Sequence, residues 1–176
     1  GNDEAFRPLC AQGLAWGTTS LGLTSVTAPL EVIARVVEAV AAAMPTLPRL
    51  RGGTVEGPFL AREKRGAQNA AHIAEPTPER VAQLLENADP IRRVTLAPEL
   101  PGAPELISRL TTLGIASSGG HSAAWDFEAE AAFAAGMRQV THTFNCMSEL
   151  GGRSGESTAG RTEDSPRERR VFSQLT

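Results

Sequence analysis

Short β-branched runs alternate along this chain with segments whose apolar residues recur at three- and four-residue spacing. No other feature restricts the possible folds as strongly. "GTTSLGLTSVT" (Gly17 to Thr27) precedes "APLEVIARVVEAVAAAM", in which Leu30, Ile33, Val37, Val40 and Ala41 share one helical face and Thr27 and Pro29 act as start signals. "RLRGGTVEGPFL" holds a second strand ending near Glu56, and Thr77-Pro78 then opens "PERVAQLLENA", with Val81, Leu84 and Leu85 on one side. "IRRVTLAPEL" is followed by "GAPELISRLTTLG", where Pro104 starts the helix and Gly114 stands at the C-terminal cap. "GIASSGGHS" precedes "AAWDFEAEAAFAAG", closed by Gly136, and "MRQVTHTF" is a fifth strand. Repeated βα units require a parallel sheet. The fold class is therefore α/β, as an open doubly wound sheet or a (β/α)8 barrel.

Residues at the strand ends separate these two options. Glu56, Glu99, His121 and His142 each stand just past a different predicted strand. Active sites of (β/α)8 barrels are assembled on that rim from many strands, whereas open sheets bind ligands at one switch point. Neither a G-x-G-x-x-G turn nor a G-x-x-x-x-G-K-[ST] loop occurs, which removes the usual support for a nucleotide-binding open sheet. A complete barrel takes about 250 residues, and the chain has 176. The expected architecture is a partial (β/α)8 TIM-type barrel of about five βα units over residues 1–150. Residues 151–176, "GGRSGESTAGRTEDSPRERRVFSQLT", lack apolar periodicity and are expected to form a polar, flexible tail. Open parallel edges on such a sheet predict self-association.

Charge narrows the partners. A net charge of −3 and a pI near 5.7 argue against nucleic acid or an anionic membrane and favour a small molecule. Cys10 and Cys146 form no disulfide framework, the start "GNDEAFRPLC" lacks the order of a signal peptide, and no apolar run approaches a membrane span. A cytoplasmic location is expected.

Glu56, His121 and His142 are a carboxylate and two imidazoles, ligand types suited to Zn²⁺ or Fe²⁺ with an open position for water. Their spacing is not diagnostic, because each also reads as an ordinary polar residue at a strand end. Glu99 reads as a rim support that accepts backbone hydrogen bonds, and His72 as a loop residue. Arg62, Lys64 and Arg65 form a basic run, either a solvated loop or an attractor for an anion. Cys146 lacks the orienting partners of a nucleophile and reads as packing or substrate contact. Trp16 and Trp125 read as packing residues on helical faces.

Four segments in order, "VEGPFLAREKRGAQN", "VTLAPEL", "GGHSAA" and "VTHTFNCMSEL", resemble the N-acetylglucosamine-6-phosphate deacetylases of the amidohydrolase superfamily. The likeness runs from about Gly17 to Leu150. It implies one divalent metal, zinc or iron, on Glu56, His121 and His142, acting on an amino-sugar phosphate in an oligomeric enzyme. Such an ion lowers the pKa of bound water from 15.7 toward about 7, so that hydroxide attacks the acetamide carbon. The resemblance also implies that Ala67, Gln68, Asn145 and Cys146 line the substrate and that Arg153 meets its phosphate. Departures are specific: the family carries histidine where Gln68 and Thr54 stand, and paired histidines where Gly151 and Gly152 stand. The family's general acid and base is an aspartate on a later strand. None of Glu156, Glu163, Asp164 and Glu168 follows a predicted strand, so no catalytic residue is assigned. Two readings follow, a metal-dependent deacetylase and a barrel remnant that binds metal or sugar phosphate without turnover.

Overall fold

A computed structural model describes residues 2–143 and 145–147. It begins with a helix, α1 (Asn2–Ala15), followed by β1 (Leu21–Ser25), α2 (Leu30–Ala43), β2 (Leu50–Glu56), α3 (Pro78–Leu84), β3 (Ile91–Leu96), α4 (Ala103–Thr112), β4 (Ala116–Gly119), α5 (Asp126–Ala135) and β5 (Gln139–Val140). The helix boundaries follow local chemistry. Thr77 caps α3 by accepting from the Arg80 N–H, with Pro78 in the first turn. Gly114 (φ 70°) and Gly136 (φ 116°) end α4 and α5 in the left-handed region that glycine tolerates. Thr27 does not cap α2. Its hydroxyl donates to the Glu56 carbonyl at 3.3 Å, and Pro29 takes the cap position.

All strands are parallel and pair in chain order, β1-β2-β3-β4-β5. That order rules out a doubly wound sheet, whose strand sequence must reverse at a switch point. With every right-handed crossover running the same way, the helices cover one face. The arrangement is that of adjacent units in a (β/α)8 barrel, an α/β fold. Val55, Val94 and Leu96 pack against Ile33 and Val37 of α2, Val81 and Leu84 of α3, and Leu106, Ile107 and Leu110 of α4. A smaller cluster docks α1 through Cys10 against Val40 and Ala43 of α2, with Leu47 and Leu50.

Side chains alternate along a strand, so Thr95, between Val94 and Leu96, points to the opposite face. That face is polar. Thr95 and Ser118 are fully buried there and both hydroxyls reach Thr141, at 2.9 and 2.7 Å. Trp16 corrects an expectation: it stands just past α1 and is 77% exposed, because it lies beyond the last turn that α1 packs. Trp125 is buried as expected. No helix among the described residues is long and apolar enough to cross a membrane.

Candidate metal centre

Parallel strands carry all their C-terminal ends to one rim. Glu56 is the last residue of β2, while His121 and His142 each stand two residues past β4 and β5. Their ligand atoms converge. Nε2 of His121 lies 3.0 Å and Nε2 of His142 lies 3.2 Å from the same oxygen, Oε1 of Glu56. The three ligand atoms fall within 4.8 Å of one another, and the two imidazoles meet edge to face at 5.1 Å.

The backbone is bent to achieve this. His121 (φ 49°) and His142 (φ 59°) both occupy the left-handed region, which costs a non-glycine residue about 1–2 kcal/mol each and persists only where surroundings enforce it. Thr141, just before His142, is pinned by Thr95 and Ser118, and its N–H donates to the Gly119 carbonyl at 2.8 Å. Gly120, just before His121, lets β5 approach: a Cβ there would lie 2.9 Å from Cβ of Thr141. Glu99 stiffens the same rim, accepting from the Ser122 hydroxyl at 2.7 Å and from the Ala123 N–H. Burial pushes its carboxyl above the usual carboxylate range.

Hydrogen bonding fixes the protonation of His121. Nδ1 lies 2.9 Å from the Lys64 carbonyl, which can only accept, so Nδ1 carries a proton and Nε2 faces Glu56. This is the second partner that a metal-bound imidazole requires. Without an ion, a proton between Nε2 and the carboxylate holds them together. The His121 bond lowers the Glu56 carboxyl to about 2, with His142 assisting and burial opposing. The same bond raises His121 above its ordinary value, again against burial.

The donor set fits a divalent ion. Tetrahedral ligands about 2.1 Å from zinc lie about 3.4 Å apart, so the two carboxylate-to-imidazole separations, 3.0 and 3.2 Å, need open by only a few tenths of an ångström, and no ligand pair is farther apart than 4.8 Å. His121 is 3% exposed and His142 43% exposed, which leaves the solvent side of the centre accessible past His142.

The other residues read from the sequence are distributed around this centre. Gln68 is part of it: its Nε2 donates to Oε1 of Glu56 at 2.7 Å. Cys146 packs over Gly66, where a Cβ would lie 2.5 Å from its Sγ and 3.7 Å from Cε1 of His121. Asn145 is exposed, its N–H donating to the His142 carbonyl at 2.7 Å and its side-chain oxygen accepting from the Cys146 thiol at 3.4 Å. Ala67 is exposed beside Gln68. Arg153 and the segment 151–176 lie outside the described residues. Sequence reasoning missed the Lys64 carbonyl and the Thr27 N–H, which donates to Oε1 of Gln68 at 2.8 Å. No signal identifies them, since every residue offers a carbonyl and nearly every one an N–H.

The chain is 42% identical over 146 residues to the N-acetylglucosamine-6-phosphate deacetylase of Homo sapiens and 40% identical to that of Bos taurus, covering 76% of this chain in each case. A solved N-acetyl-D-glucosamine-6-phosphate deacetylase from Mycobacterium smegmatis superposes on 75% of the chain with a TM-score of 0.71 and 32% identity. The chain belongs to the N-acetylglucosamine-6-phosphate deacetylase family. It spans about a third of the length of the curated relatives it matches, 34% for both mammalian proteins. A point mutant of the mycobacterial protein, solved in complex with N-acetyl-D-glucosamine-6-phosphate, superposes on 85% of the chain with a TM-score of 0.75 and 30% identity. A relative from Shewanella, 35% identical over 148 residues and 84% of this chain, is an N-acetylgalactosamine-6-phosphate deacetylase; the chain covers 37% of it. No protein-family model matches the chain.

Proposed function

We propose that this chain carries the metal centre of a hydrolase that converts N-acetylglucosamine-6-phosphate to glucosamine-6-phosphate and acetate in amino-sugar catabolism. The observation that carries this reading is the convergence of Glu56, His121 and His142 on one point, in a chain 42% identical over 146 residues to a deacetylase of that family. Zn²⁺ or Fe²⁺ held there supplies an acidified water and polarises the acetamide carbonyl. The chain's own residues prepare that chemistry. Glu56 contributes the negative charge and is itself buried enough to keep it localised. His121, oriented by the Lys64 carbonyl, offers Nε2 without rotating. His142 forms the exposed side, where substrate enters. Ala67 beside Gln68, and Asn145 and Cys146 just after His142, would contact the sugar phosphate, with Arg153 assigned to the phosphate. A reducing cytoplasm suits the free thiols of Cys10 and Cys146.

The test is acetate release from N-acetylglucosamine-6-phosphate by the purified chain loaded with Zn²⁺ or Fe²⁺, with the galactosamine epimer as comparison. Turnover should disappear on chelation and fall at least about 100-fold in His142→Ala. Metal binding without acetate release would replace the hydrolase with a binding module. Acetate release that survives chelation would remove the metal from the reaction.

A further inference from the structure

Gln68 has both ends of its side-chain amide engaged within the protein. Oε1 accepts from the Thr27 N–H at 2.8 Å, and Nε2 donates to Oε1 of Glu56 at 2.7 Å. The amide orientation is unambiguous, because a backbone N–H can only donate and an ionised carboxylate can only accept. Thr27 grips Glu56 a second time. It is 3% exposed, its hydroxyl donates to the Glu56 carbonyl at 3.3 Å, and it sits so close to Gly57 that a Cβ there would lie 2.1 Å from its Oγ1. The loop after β1 thus holds Glu56 by the backbone through Thr27 and by the carboxylate through Gln68.

We propose that Gln68 is a positioning residue for the metal centre rather than a substrate contact: it locks the Glu56 carboxylate to the β1–α2 loop so that one fixed oxygen faces the ion. The inference rests on the metal-centre reading above and deepens it. A carboxylate at the end of two methylene groups has several rotamers, and each donor that fixes it lowers the entropy lost when an ion binds. His121 and His142 cannot serve as those donors in the metal-bound centre, since the ion takes the place of their Nε2 protons. The Gln68 N–H is not a proton that the ion displaces, so its bond to the carboxylate can persist. It is also neutral, so it orients the carboxylate without adding a positive charge that would repel the ion. Only one N–H of the amide remains for anything else.

The experiment is a Zn²⁺ titration of the purified chain against a chromogenic chelator, which requires no substrate or turnover. Gln68→Ala, and Gln68→Met, which preserves most of the side-chain volume, should each bind Zn²⁺ 10–100-fold more weakly, the range seen when partners of metal ligands are removed. In a Glu56→Gln background the same replacements should add no further weakening, because the effect passes through that carboxylate. Unchanged Zn²⁺ affinity in both Gln68 variants overturns the proposal. A fall in the metal-free melting temperature with affinity intact would make Gln68 a loop support only, and equally overturns it. If the unsubstituted chain binds no Zn²⁺, the metal-centre reading itself fails, an outcome distinct from equal affinity in wild type and variant.

Discussion

The protonated form of the centre gives the metal-free chain a pH optimum, and replacing Glu56 with glutamine should abolish it. In the folded chain the Glu56 carboxyl sits at about 2 instead of 4.5, chiefly through His121. A depressed carboxyl contributes stability above its unfolded pKa and loses it as pH falls from 4.5 toward 2. His121 is raised above 6.5 by the same bond. A raised histidine contributes below its unfolded pKa and loses that contribution as pH climbs through the folded value. Both contributions are complete only between about pH 4.5 and 6.5. The Glu56 shift sets an upper bound of about 3 kcal/mol at about 1.4 kcal/mol per pH unit. Screening at His142, which is 43% exposed, reduces this to about 2 kcal/mol. Urea unfolding in excess chelator, from pH 3 to 8, should therefore show wild type exceeding Glu56→Gln by about 2 kcal/mol near pH 5.5 and by less toward either end. Saturating Zn²⁺ should reverse the alkaline limb, since the ion replaces the proton as pH rises. A wild-type minus Glu56→Gln difference that stays flat across this range would refute the argument.

Two further outcomes follow. Gly66 (φ 55°) faces Cys146, so Gly66→Ala places a methyl 2.5 Å from Sγ in a left-handed backbone and should destabilise the chain by about 2 kcal/mol in urea unfolding while weakening Zn²⁺ binding. Adding Cys146→Gly, which removes the clash and suits φ 55°, should restore much of both. The outer sides of β1 and β5 carry no strand partner among the described residues, so light scattering at micromolar concentration should find a dimer or larger assembly. A sharp monomer would count against that expectation.

Sequence alone determined the alternation of strand and helix, because side-chain burial on a pleat or a helical face imposes periods that survive without any knowledge of the partner. It placed Gly114, Gly136 and Thr77-Pro78 at helix ends, where the requirement is local backbone geometry or a local donor. It also put Glu56, His121 and His142 at the ends of separate strands, and parallel pairing carries such residues to one rim. Less was legible wherever a contact bridges distant segments. The unreversed order of five strands is set by which edge each crossover joins, so the choice against a doubly wound sheet needed the tertiary structure for its proof. The helix Asn2–Ala15 went unread because only a few of its residues, Cys10 and Phe6 among them, meet the core. The family resemblance implied a place for Gln68 near the substrate, yet its grip on Glu56 and on the Thr27 N–H emerges only when positions 27, 56 and 68 are brought together. A side chain's type is written in the sequence, but the backbone group it meets is chemically the same at almost every position. Only folding selects it.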